Sequence, residues 1–324
     1  MNRPTPSRRA AIKAFGAISL SGLAPYAFAQ AFPAKPVRIV HGYDSGSNPD
    51  TVARAISQAL GERLGQPIVI EPKPGAGGRI ATAYVATQEG DGYTLMMLTA
   101  GDGVLAATDP KLPYDLAKDY AFISTVIQFP FVIMVKPDAP YKNLAEVLDA
   151  ARKNPGKLTF ATPGIRTTQH LSGELINATA KVDMLHVPFK GNSFQDLIGG
   201  RVDLLIAAPS IATPQIKGGA VRAIAVTGKT RMETLPGVPT VAETLPGFEV
   251  TSWLALAAPA KTPAAVTARL TADVRQVLTQ EAVRARLLAI GSEPVGGTAE
   301  ELRTRVETDI RKWKELSRTA KLDS

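Results

Sequence analysis

Apolar residues along this chain fall into two rhythms that take turns. Val37, Ile39 and Val40 form a short block closed upstream by Pro36, the pattern of a buried strand. The nine residues from His41 to Pro49 (HGYDSGSNP) carry Gly, Ser and Asn with no periodic apolar face, the pattern of a loop. From Asp50 the period lengthens. Val52, Ile56 and Leu60 recur at four-residue steps, one face of a helix that Gly65 stops, and Ile68, Val69 and Ile70 restore a strand. The crossover such a unit requires makes its two strands parallel neighbours. The loop then lies at the carboxyl edge of the sheet, where open α/β sheets take ligands, and the helix behind it aims unpaired N–H groups and a partial positive charge into that space. Asp50 stands where it can cap that helix.

The same rhythm continues. Pro72 to Gly78 read as a loop before a short helix through Ile80, Tyr84 and Val85, and Ile80 breaks the glycine spacing that a dinucleotide site needs. A strand over 93–98 ends at Thr99-Ala100-Gly101-Asp102-Gly103, again small residues at a strand's carboxyl end. Strands over 123–127 and 131–135 are separated by Pro130. A second block then repeats the first: a helix over Leu144–Lys153, a strand over 158–161, the loop Thr162-Pro163-Gly164-Ile165-Arg166-Thr167-Thr168, a helix with Leu171, Leu175 and Ile176 inward, and a strand over 184–187. Strands over 202–206, 222–227 and 250–257 follow, the stretch up to Gly219 reading as turn. Helices over 264–279, 282–290 and 298–314 close the chain. The predicted fold is α/β with two lobes, each presenting a helix N-terminus to a shared cleft.

At 324 residues the chain has ample length for two domains. Its N-terminus changes the picture most. Arg8, Arg9 and Lys13 precede an apolar run over 14–23, and Ala27-Phe28-Ala29 precedes Gln30. This is the pattern of a cleavable export signal over 1–29, its paired arginines resembling a twin-arginine signal, with an apolar run too short to span a bilayer. The mature protein is expected to be exported and periplasmic. Removal of the signal takes four of the basic residues and no acid, so the net charge falls from +8 to +4. That surface suits small acidic solutes slightly, and nothing resembles a nucleic-acid motif. Cysteine is absent, which excludes disulfides and thiol chemistry. The three histidines, His41, His170 and His186, have no partners at metal spacing, and no catalytic motif is present. No metal, no cofactor and no enzyme activity are expected. Loops rich in backbone donors but without an acid–base pair suit binding.

With these residues in view, the chain resembles the Bug-type solute-binding receptors of tripartite tricarboxylate transporters. The resemblance runs from Pro33 to about Leu322. It rests on KPVRIV at 35–40, GQPIVIEPKPGAGG at 65–78, DGYTL at 91–95, LPYDLAKDY at 112–120, NPGKLTFATPG at 154–164, HVPFKG at 186–191, GGRVDLL at 199–205 and LPGVPTVAE at 235–243. It implies a monomeric, two-lobed binding protein of the periplasmic type II-like kind, closing on a small carboxylate and delivering it to the membrane subunits of a transporter. Residues 30–129 and 253–324 would form one lobe and 130–252 the other. The family's ligand loops map onto Tyr43, Asp44, Ser45, Gly46, Ser47, Asn48 and Asp50, and onto Thr162, Gly164, Ile165, Arg166, Thr167 and Thr168. Ala100, Gly101 and Phe189 complete the expected site. The chain departs from the family where Asp44 replaces a small apolar residue, where Arg166 replaces a glycine, and where the segment 191–196 is two residues short. Asp44 and Arg166 are expected to face the cleft from opposite lobes. They would either pair as a latch or serve a carboxylate that carries a donor group, an amino or hydroxy acid. Two other readings remain at this point, a ligand sensor for a signalling partner and an exported enzyme.

Overall fold

The computed structural model describes residues 32–189 and 193–319; the expected signal sequence lies outside them. Strand β1 (Val37–His41), helix α1 (Asn48–Leu64) and β2 (Ile68–Pro72) form the opening unit, and β1 and β2 pair in parallel with Ile39 opposite Ile70. Helix α1 begins two residues earlier than the apolar period suggests. Its N-cap is Ser47, and Pro49 sits in the first turn, where a missing N–H costs nothing. Asp50 is therefore a first-turn residue and not the cap. Gly65 ends the helix in the left-handed conformation, φ +69°, which glycine adopts without penalty.

Helix α2 (Arg79–Ala86), strand β3 (Thr94–Thr99) and helix α3 (Ala100–Thr108) follow, then the long strand β4 (Tyr120–Pro130). The small residues after β3 open a helix instead of a loop, because the Thr99 backbone N–H is met by the Asp102 carboxylate at 2.7 Å. Next come β5 (Val132–Val135), α4 (Leu144–Lys153), β6 (Thr159–Thr162), α5 (Thr168–Ala180), β7 (Leu185–Pro188), α6 (Phe194–Ile198), β8 (Leu204–Ala207), α7 (Pro209–Lys217) and β9 (Arg222–Val226). The chain closes with β10 (Thr251–Pro259), α8 (Ala264–Thr279), α9 (Glu281–Ala289), the two-residue β11 (Glu293–Pro294) and α10 (Ala299–Thr319). Helix α7, read from the sequence as turn, starts on Pro209 and contains Pro214. Two prolines hid it.

The strands form two sheets, one in the order β11-β4-β10-β3-β1-β2 and one in the order β7-β6-β8-β5-β9. In the first, successive β3 residues face opposite layers. Leu95 and Met97 pack with Val52, Ile56, Leu270 and Val274 of α1 and α8, while Met96 and Leu98 pack with Ala81, Val85, Leu302 and Val306 of α2 and α10. Helices cover both faces, so all six residues of β3 are buried. The second sheet packs Ile133, Phe160 and Ile206 against α4 and α5, and Met134, Leu205 and Ala207 towards α6 and α7. Each of these Val, Leu, Ile, Phe and Met side chains contributes about 1.5–3 kcal/mol by leaving water. The chain passes from one sheet to the other between β4 and β5 and returns between β9 and β10. Buried Thr227 clasps both passages: its hydroxyl accepts from Phe131 N at 2.8 Å and donates to Val250 O at 2.7 Å. Among the described residues, no helix is long and apolar enough to cross a membrane.

Candidate ligand-binding site

A cavity of about 730 Å³ opens between the two sheets. Its floor is apolar and comes from strands of both sheets: Phe129 of β4, Leu205 and Ile206 of β8, Leu254 of β10, with Phe131 at the passage between sheets. Around it four helices of nine residues or more begin, α1 at Ser47 and Asn48, α3 at Thr99 and Gly101, α5 at Thr168 and Gln169, and α7 behind Ala208, and the short α6 starts there too at Ser193 and Phe194. A helix start leaves N–H groups without intrahelical partners and carries roughly half a positive charge. Among the described lining residues the one formal charge is Asp44, exposed at the mouth. The arrangement offers positive potential and backbone donors above, and hydrocarbon below.

The first loop is held by one carboxylate. Asp50 accepts from Gly46 N at 2.9 Å, from Arg54 Nε at 2.9 Å and Nη2 at 3.1 Å, and lies 3.2 Å from His41 Nε2. Burial alone would raise the Asp50 pKa, but Arg54, the Gly46 N–H and His41 outweigh it and hold the carboxyl below its usual range. His41 is wholly buried, which pushes its pKa down in spite of Asp50. Tyr43 turns its hydroxyl to Gly77 O at 3.1 Å; burial, and then the charge of Asp102, push this phenol upward. Asp102 itself is buried under the start of α3, where it takes Thr82 Oγ1 at 2.6 Å, and burial raises its pKa.

The second loop is held by neutral groups. His170 and His186 stack with ring centroids 3.9 Å apart, and Phe160 lies beyond His186 at 5.0 Å. Arg166 N donates to His170 Nδ1 at 3.1 Å, and His186 Nε2 stands 2.7 Å from Thr162 Oγ1. The Thr167 hydroxyl caps α5 by accepting from His170 N and donates to Gly164 O at 2.9 Å. Burial lowers both imidazoles, His170 to about 4 with help from the Arg166 charge, and His186 to about 3 with help from His170.

Of the residues expected from the sequence, Tyr43, Asp44, Ser45, Gly46, Ser47, Asn48, Gly101 and Thr168 line the cavity. Asp50, Ala100, Thr162, Gly164, Ile165, Arg166, Thr167 and Phe189 are not among its walls. Asp50, Thr162 and Thr167 spend their oxygens on holding the loops. Ile165 is exposed, and its carbonyl comes close enough to Gly77 that an added Cβ there would meet it at 3.2 Å. Arg166 has a left-handed backbone, φ +56°, a conformation that glycine adopts without penalty. It forms no ion pair with Asp44 or with any other described residue, so the latch between them is not made. Gln169 and the apolar floor escaped the sequence reading, and Thr99 was read at the end of β3 without being placed in the site. The strand-end rule applied to β8 would have found Ala207 and Ala208. No group of three or more His, Cys, Asp or Glu among the described residues is placed to hold a metal ion.

The profile described as tripartite tricarboxylate transporter family receptor matches residues 52–322. The chain belongs to the tripartite tricarboxylate transporter receptor family. It is 36% identical over 290 residues to a UPF0065 protein in the tcbD-tcbE intergenic region of Pseudomonas sp. (strain P51), covering 88% of this chain and 86% of that one. Among solved structures, R. palustris Rpa4515 with adipate superposes with a TM-score of 0.86 at 32% identity, covering 89% of this chain and 98% of its own. MatC of Rhodopseudomonas palustris with bound malate superposes at 0.83 and 34% identity, covering 88% and 99%. Receptors of this family share the two-lobed architecture seen here.

Proposed function

We propose that this receptor works outside the cytoplasm, captures a small organic carboxylate in the cavity between its sheets, and hands it to the membrane subunits of a tripartite transporter. The observation that carries the proposal is the meeting of four helix starts over one cavity whose described walls contain no cationic side chain. Such a site is preorganised for an anion, and the carboxylates bound by Rpa4515 and MatC support that reading. Its described walls hold no histidine, cysteine, lysine or arginine to act as a catalytic partner for Asp44, which supports binding without turnover. The apolar floor favours a carboxylate with a hydrocarbon body. Asp44 sits at the exposed mouth where water serves it, so the ligand need not bring a donor group of its own. Export through the signal at 1–29 accounts for a receptor on the outer side of the membrane.

The two lobes divide at Phe131 and Val250, and closure turns on the two strand passages that Thr227 joins. A thermal-shift screen with benzoate, hexanoate, adipate and malate tests the reading. A ligand at 100 times its dissociation constant should add about 2.7 kcal/mol of stability. The same ligand should reduce the radius of gyration in small-angle scattering. If none of the four acids moves the melting curve, the carboxylate reading is wrong.

A further inference from the structure

Asn48 opens helix α1 and lines the cavity. Its carboxamide Oδ1 accepts a hydrogen bond of 2.7 Å from Ser210 Oγ, which comes from the first turn of α7 on the far side of the cleft. The two residues are 162 positions apart in sequence, and they are only 6% and 8% exposed. The other half of the same carboxamide is unmet: Asn48 Nδ2 is buried without a hydrogen-bond partner, and so is the neighbouring Ser47 Oγ. An amide nitrogen carries two donors, and a buried donor left unpaired costs the whole of its lost hydration. Ser47 and Asn48 both line the cavity, so these adjacent unmet groups lie just behind its wall and point to an acceptor that reaches them as the cleft closes on what fills the cavity. A carboxylate oxygen meets them better than water, because a charged acceptor makes the stronger bond.

We propose that Asn48 couples ligand recognition to cleft closure, Nδ2 donating to a ligand carboxylate while Oδ1 holds Ser210 of the opposite lobe. The inference rests on the carboxylate-receptor reading given above. Both bonds fix the same planar group, so whichever forms first orients the amide for the other. The coupling is reciprocal: the ligand favours the closed cleft, and the closed cleft raises affinity. Tyr43 and Thr168 also line the cavity, but their side chains make no hydrogen bond across it, whereas Asn48 holds Ser210.

Isothermal titration of the purified protein with benzoate, hexanoate, adipate and malate tests this in wild type, Asn48→Asp, Asn48→Ala, Ser210→Ala and the double variant Asn48→Ala/Ser210→Ala. Asn48→Asp keeps the shape and the acceptor for Ser210 but turns the cavity-side donor into an anionic oxygen. For the acid that wild type binds best, it should weaken binding by about a hundredfold or more, and Asn48→Ala by roughly ten- to a hundredfold. Ser210→Ala should weaken binding by about three- to tenfold on its own, and by less than about twofold in the Asn48→Ala background, because the pair acts as a unit. Affinities within about twofold of wild type for both Asn48 variants would overturn the proposal while leaving the receptor reading intact, as would fully additive effects of Asn48→Ala and Ser210→Ala. If wild type binds none of the four acids, the receptor reading falls and this inference with it. Thermal melts report folding of each variant. Should the Asn48 variants melt early, Ser210→Ala decides alone, and unchanged affinity with unchanged compaction in scattering would overturn the coupling.

Discussion

The two loops that face each other across the cleft share a plan and differ in how they are held. Each follows a parallel strand, bends through a left-handed residue, and delivers a helix start to the cavity. On the first, a buried carboxylate gathers three partners: Asp50 binds Gly46 N, Arg54 and His41. On the second, two stacked neutral imidazoles and two threonine hydroxyls do the same work, with Arg166 in the turn and the Glu174 carboxylate 3.8 Å from His170 Nε2 as the charges beside them. A charged hub is strong and fails as a unit. A neutral imidazole hub can be switched off by protons. The lobes therefore have unlike weak points although their folds repeat.

Removal of the charged hub should have the largest effect. In Asp50→Ala, Gly46 N loses its acceptor and buried His41 loses its side-chain partner. Arg54 is more than half exposed, so water replaces much of its share. The loss should be about 2–4 kcal/mol. It reads out as a lower urea midpoint at unchanged m-value, with weaker binding of whichever screened carboxylate the wild type takes. A cost below about 1 kcal/mol would break the comparison, since the first loop would then stand without its hub.

Acid should act on the second loop. His170 and His186 titrate in the folded protein at about 4 and about 3, against an unfolded value near 6.5. Between those limits the unfolded chain binds protons that the folded one refuses. Their stability contribution is complete above pH 6.5 and is lost as pH falls towards 4, by up to about 1.4 kcal/mol per pH unit for each histidine. His41 is lowered as well and adds in the same direction. Thermal melts of wild type from pH 7.5 to 4 should fall accordingly, and His186→Phe, which keeps a ring in the stack but cannot titrate, should flatten the slope. An equal slope in that variant would assign the acid response elsewhere.

How much of this was legible follows from where the information sits. The unit β1–loop–α1–β2 lies in one continuous stretch whose apolar period changes from two to four, so the parallel pairing and the first loop could be read directly. The second loop could be read for the same reason. Helices α3 and α7 could not, because Gly101, Gly103, Pro209 and Pro214 carry turn signals that the caps and the packing override. The cavity floor was invisible for another reason. Phe129, Leu205 and Leu254 have the pattern of buried strand residues, and nothing local distinguishes a core side chain from one that faces a cavity. Asn48 was in the expected site, but its bond to Ser210 joins positions 162 apart and is set by how the lobes meet. Arg166 shows the limit of reading charge from sequence. Its side chain suggested a carboxylate clamp, whereas its backbone is what the fold constrains.

The smallest effect concerns that backbone, and it separates the two turns cleanly. The first loop bends at Gly46, φ +81°, and the second at Arg166, φ +56°. A residue with a Cβ is disfavoured in the left-handed region by roughly 1–2 kcal/mol, and here the bond from Arg166 N to His170 Nδ1 helps hold it there. Gly46→Ala should therefore destabilise by about 1 kcal/mol through conformation alone, because an added Cβ would meet nothing within 4 Å. Arg166→Gly should act in the opposite direction. It relieves the turn, but glycine also loosens the unfolded chain by roughly 0.5–1 kcal/mol, so the net gain should be only about 0.5 kcal/mol. The variant also removes a positive charge that helps to keep His170 unprotonated. Its folded His170 then titrates closer to the unfolded value, so the loss of stability on acidification should be slightly smaller than in wild type. Because Arg166 is not a wall of the cavity, the affinity for a bound carboxylate should stay within about twofold. Urea midpoints of the two variants, taken at pH 7.5 and 5, give the signs. If Arg166→Gly instead weakens binding of the acid tenfold, the guanidinium reaches the ligand on closure, and the second loop has a charged contact of its own.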